Sequence, residues 1–196
     1  MKTRKLFIFF LLAFFTMGAD VVEVRSLDNV IAGDHRSEQN KSRDNQRHPK
    51  QTLEFFGIQP NMTVVEVWPS GGWYTEILAP YLNEDGQYIS ASFDFKSDSA
   101  FIQRVAKIFL GKLEKRPDLY SNVKHGVLML PDNIDVADPN TVDMVLTFRN
   151  IHNWMARGQE RIAIKAFYDM LKPGGILGVV EHRGDESVPQ DPASKS

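Results

Sequence analysis

From Met62 onward the apolar positions alternate between short β-branched runs and longer stretches at helical spacing. Thr63–Val67 is such a run, with acidic Glu66 near its end, and predicts a first strand. The turn Trp68-Pro69-Ser70-Gly71-Gly72 follows. Ile77, Leu78, Tyr81 and Leu82 then mark a helix over Tyr74 to Leu82, which Pro80 should kink or end. Tyr88–Phe93 predicts a second strand closing on Asp94. Phe101, Val105, Ile108, Phe109 and Leu113 give one apolar stripe of a long helix. Val123–Leu130 predicts a third strand, ended by Pro131-Asp132. Val142–Phe148 predicts a fourth, nearly all apolar, as a strand buried on both faces is. Ile162, Ala166, Phe167, Met170 and Leu171 line a further helix, ended by Lys172-Pro173-Gly174-Gly175. Ile176–Val180 is a fifth strand with Glu181 behind it. Strands alternating with helices predict an α/β fold: a Rossmann-like parallel sheet of about five strands with helices on both faces.

The chain before Met62 follows other rules. Lys2, Arg4 and Lys5 precede an uncharged apolar run from Leu6 to Phe15, and Thr16, Gly18 and Ala19 then offer small residues. This is the three-part layout of a secretory signal over residues 1–19, with export to the periplasm or the outside implied. The run is shorter than the roughly 20 apolar residues of a spanning helix, so cleavage is expected and no stable membrane anchor after it. Residues 20–48 form a polar arm, extended or loosely helical. Pro49 in a first-turn position and Gly57 at a C-terminal cap predict a short helix over 49–56. The Rossmann-like domain is expected over 49–185, with a polar tail over 186–196.

Composition narrows the chemistry. The 196 residues carry 23 basic and 25 acidic side chains. Loss of Lys2, Arg4 and Lys5 with the signal would leave 20 basic residues, which gives nucleic acid no support as a partner. There is no cysteine, so disulfides and thiolate chemistry are excluded. The five histidines show no pair one helical turn apart, and no metal site is expected.

In an open α/β sheet ligands bind beyond the carboxyl ends of the strands, near the point where strand order reverses. Those ends here are Glu66–Trp73, Phe93–Asp94, Leu130–Asp132, Arg149–Trp154 and Glu181–Arg183. A glycine-containing turn after the first strand lets backbone amides approach a ligand, although glycines also serve tight turns that bind nothing. Asp94, 28 residues after Glu66, is placed to accept hydrogen bonds from both hydroxyls of a ribose; a turn-forming aspartate fits the same sequence.

Val64-Val65-Glu66-Val67-Trp68-Pro69-Ser70-Gly71-Gly72-Trp73-Tyr74 resembles motif I of class I S-adenosylmethionine-dependent methyltransferases. Val142-Asp143-Met144-Val145-Leu146 resembles their fourth strand, and Leu171-Lys172-Pro173-Gly174-Gly175-Ile176-Leu177 the turn introducing their fifth. Arg47-His48-Pro49, Leu53–Ile58 and Gly72–Pro80 are similar to a group of exported bacterial predicted methyltransferases, over about residues 34–190. The resemblance implies S-adenosylmethionine as cofactor and methyl transfer to an acceptor it does not name. Glu66 with Trp68, Pro69, Ser70, Gly71 and Gly72 would face the methionine part. Asp94 would hold the ribose and Asp132 would lie near the adenine. Arg149, Asn150 and His152 would border the transfer site, with His152 as candidate base.

The motif departs from its family at two points. Glycines are usual two, four and six places after the acidic residue, here Trp68, Ser70 and Gly72, and only the last is glycine. The family also continues with a helix and two strands, which suggests a C-terminal part missing here. A non-catalytic exported module that binds a small molecule or a partner protein is therefore the alternative. A nicotinamide-dependent oxidoreductase is disfavoured, because no Gly-x-Gly-x-x-Gly run is present. Arg36, Arg43, Arg47 and His48 form either a lid over the site or a solvated charged face.

Overall fold

The computed structural model describes residues 26–188. Its centre is a six-stranded sheet formed by β1 (Thr63–Val67), β2 (Gln87–Ser92), β3 (Lys124–Met129), β4 (Asn133–Asp135), β5 (Val142–Phe148) and β6 (Leu171–Val180). The order is β4-β3-β2-β1-β5-β6. All pairs are parallel except β3 with β4, a short antiparallel hairpin that the sequence pattern did not reveal. Three residues, all exposed, leave no periodicity to read.

The helices are α1 (Leu27–Ala32), α2 (Glu38–Lys41), α3 (Asp44–Arg47), α4 (Pro49–Phe55), α5 (Thr75–Leu82), α6 (Ala100–Leu113), α7 (Pro117–Tyr120), α8 (Ile151–Met155) and α9 (Glu160–Met170). Alternation along β1 sorts the two layers. Val64 joins the core under α1, α4 and α5 with Leu53, Ile77 and Leu78, whereas Val65 and Val67 join Trp154 and Phe167 on the opposite face. Glu66 shares the face of Val64, which aims its carboxylate toward α5.

Helix α6 buries Ile102, Ala106 and Phe109, while Phe101 and Ile108 are exposed. The stripe is turned one residue from the expected one. Apolar residues at 101, 102, 105, 106, 108 and 109 satisfy two neighbouring helical stripes, and only packing chooses between them.

The Lys172–Gly175 turn is built into β6 as an irregularity: Val142 pairs with Leu171 and Met144 with Ile176. Asp143 secures it, accepting from the Lys172 Nζ at 2.7 Å and from the Thr63 amide at 2.8 Å.

The arm is helical and integrated rather than loose. Arg36 is 2% exposed. Its two Nη atoms donate to both Asp44 carboxylate oxygens at 2.8 Å, and Nη1 also reaches the Ile31 carbonyl at 2.7 Å. The apolar run from Leu6 to Phe15 and the end of the polar tail lie outside the described residues. Among the described residues no helix is long and apolar enough to cross a membrane.

Candidate functional site

Strand order reverses between β1 and β5, since β2 and β3 lie to one side of β1 and β6 lies beyond β5. At the carboxyl ends of this pair is a cavity of about 460 Å3. Glu66, Trp68, Pro69, Ser70, Gly71, Arg149 and Asn150 line it, with Asn40, Arg43 and Arg47 contributed by the N-terminal helices. The expected turn and strand end are thus brought together, and the arm forms part of the wall.

The turn after β1 keeps a glycine-like backbone at two positions that are not glycine. Trp68 has φ 48°, Ser70 φ 52° and Gly72 φ 72°. A non-glycine residue in this region costs about 1 kcal/mol, because Cβ crowds the carbonyl oxygen. Arg149, at the end of β5, has φ 60° as well. Three non-glycine residues in this costly conformation therefore border one cavity. Trp68 is held there by its side chain: Nε1 donates to the Leu128 carbonyl at 3.1 Å, and the ring stacks on Phe93 and meets Trp154 edge-on. The Ser70 and Gly71 amides donate to no described residue, which leaves two backbone donors at the cavity.

Glu66 is the buried charge of the site, 3% exposed. Its Oε2 accepts from the Tyr88 hydroxyl at 2.6 Å and from Thr75 Oγ1 at 3.0 Å. No described residue donates to Oε1. Burial pushes the carboxyl up to about 7, against the lowering effect of the two hydroxyls and of Lys112 and Arg47. Asn150 fastens the neighbouring strand, donating to the Val67 carbonyl and to Thr147 Oγ1, both at 3.1 Å.

Other candidates sit at the margins. Gly72 is buried beneath the turn, where an added Cβ would lie 3.2 Å from Thr75 Oγ1. Asp94 caps its own turn, accepting from the Lys96 amide at 2.9 Å. Asp132 is exposed in the β3–β4 hairpin. Neither lines the cavity.

His152 is the second residue of α8, and its Nδ1 is 2.9 Å from Glu181 Oε1. Burial raises the Glu181 carboxyl, but hydrogen bonds from His152, the His182 amide and the Ile151 amide bring it below its usual value. The His182 ring lies 5.4 Å from that of His152. Ligand atoms of His152, Glu181 and His182 all fall within 4.8 Å of one another, a spacing at which the three could hold a metal ion. No spacing along the chain shows this cluster, because two adjacent strand ends create it.

A second chamber of about 540 Å3 adjoins the first, sharing Arg43, Arg47, Tyr74, Phe148 and Arg149 as walls. Tyr74 and Phe148 stack at 3.7 Å between ring centroids. Arg47 lies over the Trp73 ring at 4.6 Å, and burial followed by the Arg43 and Arg149 charges lowers its pKa.

The chain is similar in structure to a SAM dependent methyltransferase from Aquifex aeolicus, with TM-score 0.60 and 21% identity over 79% of this chain and 74% of that one. It is also similar to the [4+2]-cyclase SpnF, with TM-score 0.51 and 18% identity over 74% of this chain and 47% of that one. Coclaurine N-methyltransferase bound to N-methylheliamine and SAH gives TM-score 0.51 and 11% identity, over 77% of this chain and 42% of that one. The chain thus spans less than half the length of the last two. The protein has the Rossmann-like α/β fold of these enzymes. A cyclase among them shows that the fold leaves the reaction open. No family model and no curated protein matches the chain.

Proposed function

We propose that this protein is an S-adenosylmethionine-dependent methyltransferase, exported by its N-terminal signal and acting on an acceptor still to be found. One observation carries the reading: a cavity at the β1–β5 reversal point joins the Glu66 carboxylate, whose Oε1 accepts from no described residue, to two backbone donors on a turn in glycine-like conformation. That donor set suits the amino-acid end of the cofactor. Glu66 Oε1 would take the ammonium, and Arg47 with the Ser70 and Gly71 amides would take the carboxylate. Bound there, the cofactor supplies an electrophilic methyl group. The nucleoside end would extend past Trp68 toward Asp94 and Asp132, the direction in which Trp68 and Phe93 present aromatic surface.

The chain's own contributions are positioning and proton handling. Asn150 ties the β5 end to the β1 end, so both walls keep their spacing. Glu181 orients the His152 ring through Nδ1, leaving Nε2 as the atom that could take a proton from an acceptor. Tyr74, Phe148 and Trp73 line an apolar wall that limits water.

Titration calorimetry of the mature protein with S-adenosylhomocysteine tests the reading. Saturable binding is expected, and the absence of heat at millimolar ligand would remove the cofactor assignment. A non-catalytic exported module that binds some other small molecule or a partner protein would give no saturable binding of that ligand.

A further inference from the structure

The cleft holds three guanidinium groups that have no carboxylate partner among the described residues. Arg43 and Arg47 come from the two ends of α3 and Arg149 from the end of β5, and each lines both chambers. Nearby acids are committed elsewhere. Asp44 binds Arg36 through both oxygens. Glu76 accepts from Asn40 at 2.8 Å and from Lys112. Glu66 is held by Tyr88 and Thr75, and Glu181 by His152. Arg47 is half-buried, while Arg43 and Arg149 are exposed at the cleft, and like charges gathered there repel one another unless an anion offsets them.

The cofactor of the reading above does not offset them. S-adenosylmethionine carries a carboxylate, an ammonium and a sulfonium, so it enters as a net cation. Its carboxylate occupies one arginine and its ammonium faces Glu66, which leaves two guanidinium groups and a sulfonium in the same cleft. The second chamber, lined by Ser42, Gln46 and the stacked Tyr74 and Phe148, has room for a compensating anion.

Resting on the methyl-transfer reading, we propose that the acceptor is an anion whose carboxylate or phosphate group is gripped by Arg43 and Arg149 in the second chamber, with its apolar part against Tyr74 and Phe148. Arginine's planar fork matches both oxyanions, and no acidic residue lines the second chamber to repel them.

The test uses the full mature chain saturated with S-adenosylhomocysteine and titrated calorimetrically with inorganic phosphate in one arm and benzoate in the other. At least one arm should saturate, with affinity falling as salt rises. Arg43→Gln and Arg149→Gln should each weaken that binding by about tenfold or more, and Arg43→Lys should restore part of it. S-adenosylhomocysteine affinity, read separately, should change less than about threefold in Arg43→Gln. Tight S-adenosylhomocysteine binding with no saturation by either anion overturns the anionic acceptor and leaves methyl transfer standing. An Arg43→Gln loss confined to S-adenosylhomocysteine overturns it also, by assigning that arginine to the cofactor. Failure of S-adenosylhomocysteine to bind at all removes the methyl-transfer reading and this inference with it.

Discussion

The Tyr88 hydroxyl donates to Glu66 Oε2 at 2.6 Å from the neighbouring strand, and the Thr75 hydroxyl touches both groups. Register explains the meeting. Val64 pairs with Tyr88, so Tyr88 stands on the same face of the sheet as Glu66, two residues back. The trio anchors one oxygen of a buried carboxyl and leaves the other for the cavity. Tyr88→Phe removes a hydrogen bond to a buried acid and should lower stability by about 1–3 kcal/mol, read from urea unfolding at pH 7.

The Glu66 carboxyl, raised to about 7 from 4.5, links stability to pH. The folded protein keeps a proton that the unfolded chain releases between those values. Its contribution to stability is therefore complete below pH 4.5 and is lost as pH rises through 7, by on the order of 3 kcal/mol. Glu66→Gln should flatten that part of the stability curve. Because an ammonium partner favours the ionised form, S-adenosylhomocysteine affinity of the parent should rise with pH up to about 7 and then level.

Ser70 and Gly72 offer opposite substitutions on one turn. Ser70 is exposed and has φ 52°, and its Oγ makes only a 3.5 Å contact to the Trp68 carbonyl. Ser70→Gly should raise stability by about 0.5–1 kcal/mol, since glycine adopts this conformation without strain. Gly72→Ala should lower it by about 1–2 kcal/mol, because the new methyl both suffers φ 72° and crowds Thr75. Thermal unfolding of the two variants would separate them in sign.

Arg36 pins the N-terminal helices to the domain, with Asp44 on one side and Glu76 Oε2 3.8 Å from Nε. Arg36→Met removes the countercharge of Asp44 and leaves Glu76 with Lys112 alone, and should cost about 3 kcal/mol or more. Amide exchange would show protection lost first over residues 27–47, and Arg43 and Arg47 would leave the cleft with them.

The sequence by itself determined β1, β2 and β5, because each is a run whose burial holds in any arrangement that covers both faces of a sheet, and it did not show the exposed β4. Val142–Phe148 matches its expected bounds, and Thr63–Val67 likewise. It also determined the α4 start at Pro49, where a fixed φ and a missing amide suit the first turn. The positions two, four and six after Glu66 could be recognised as a turn of special conformation. That Trp68 would accept that conformation could not, since its cost is offset by ring contacts with Phe93 and Trp154, residues 25 and 86 places further along.

Only the tertiary structure decided which charges are buried, which are paired and which remain free. Arg36, Arg43 and Arg47 look alike along the chain, yet one is locked between Asp44 and Glu76 while the other two face the cleft. The His152–Glu181–His182 cluster has the same origin, two strand ends lying side by side. Hydrophobic periodicity is a local property that the backbone repeat alone can express. The partners of a charge are set by contacts between distant segments, and those exist only once the sheet has formed.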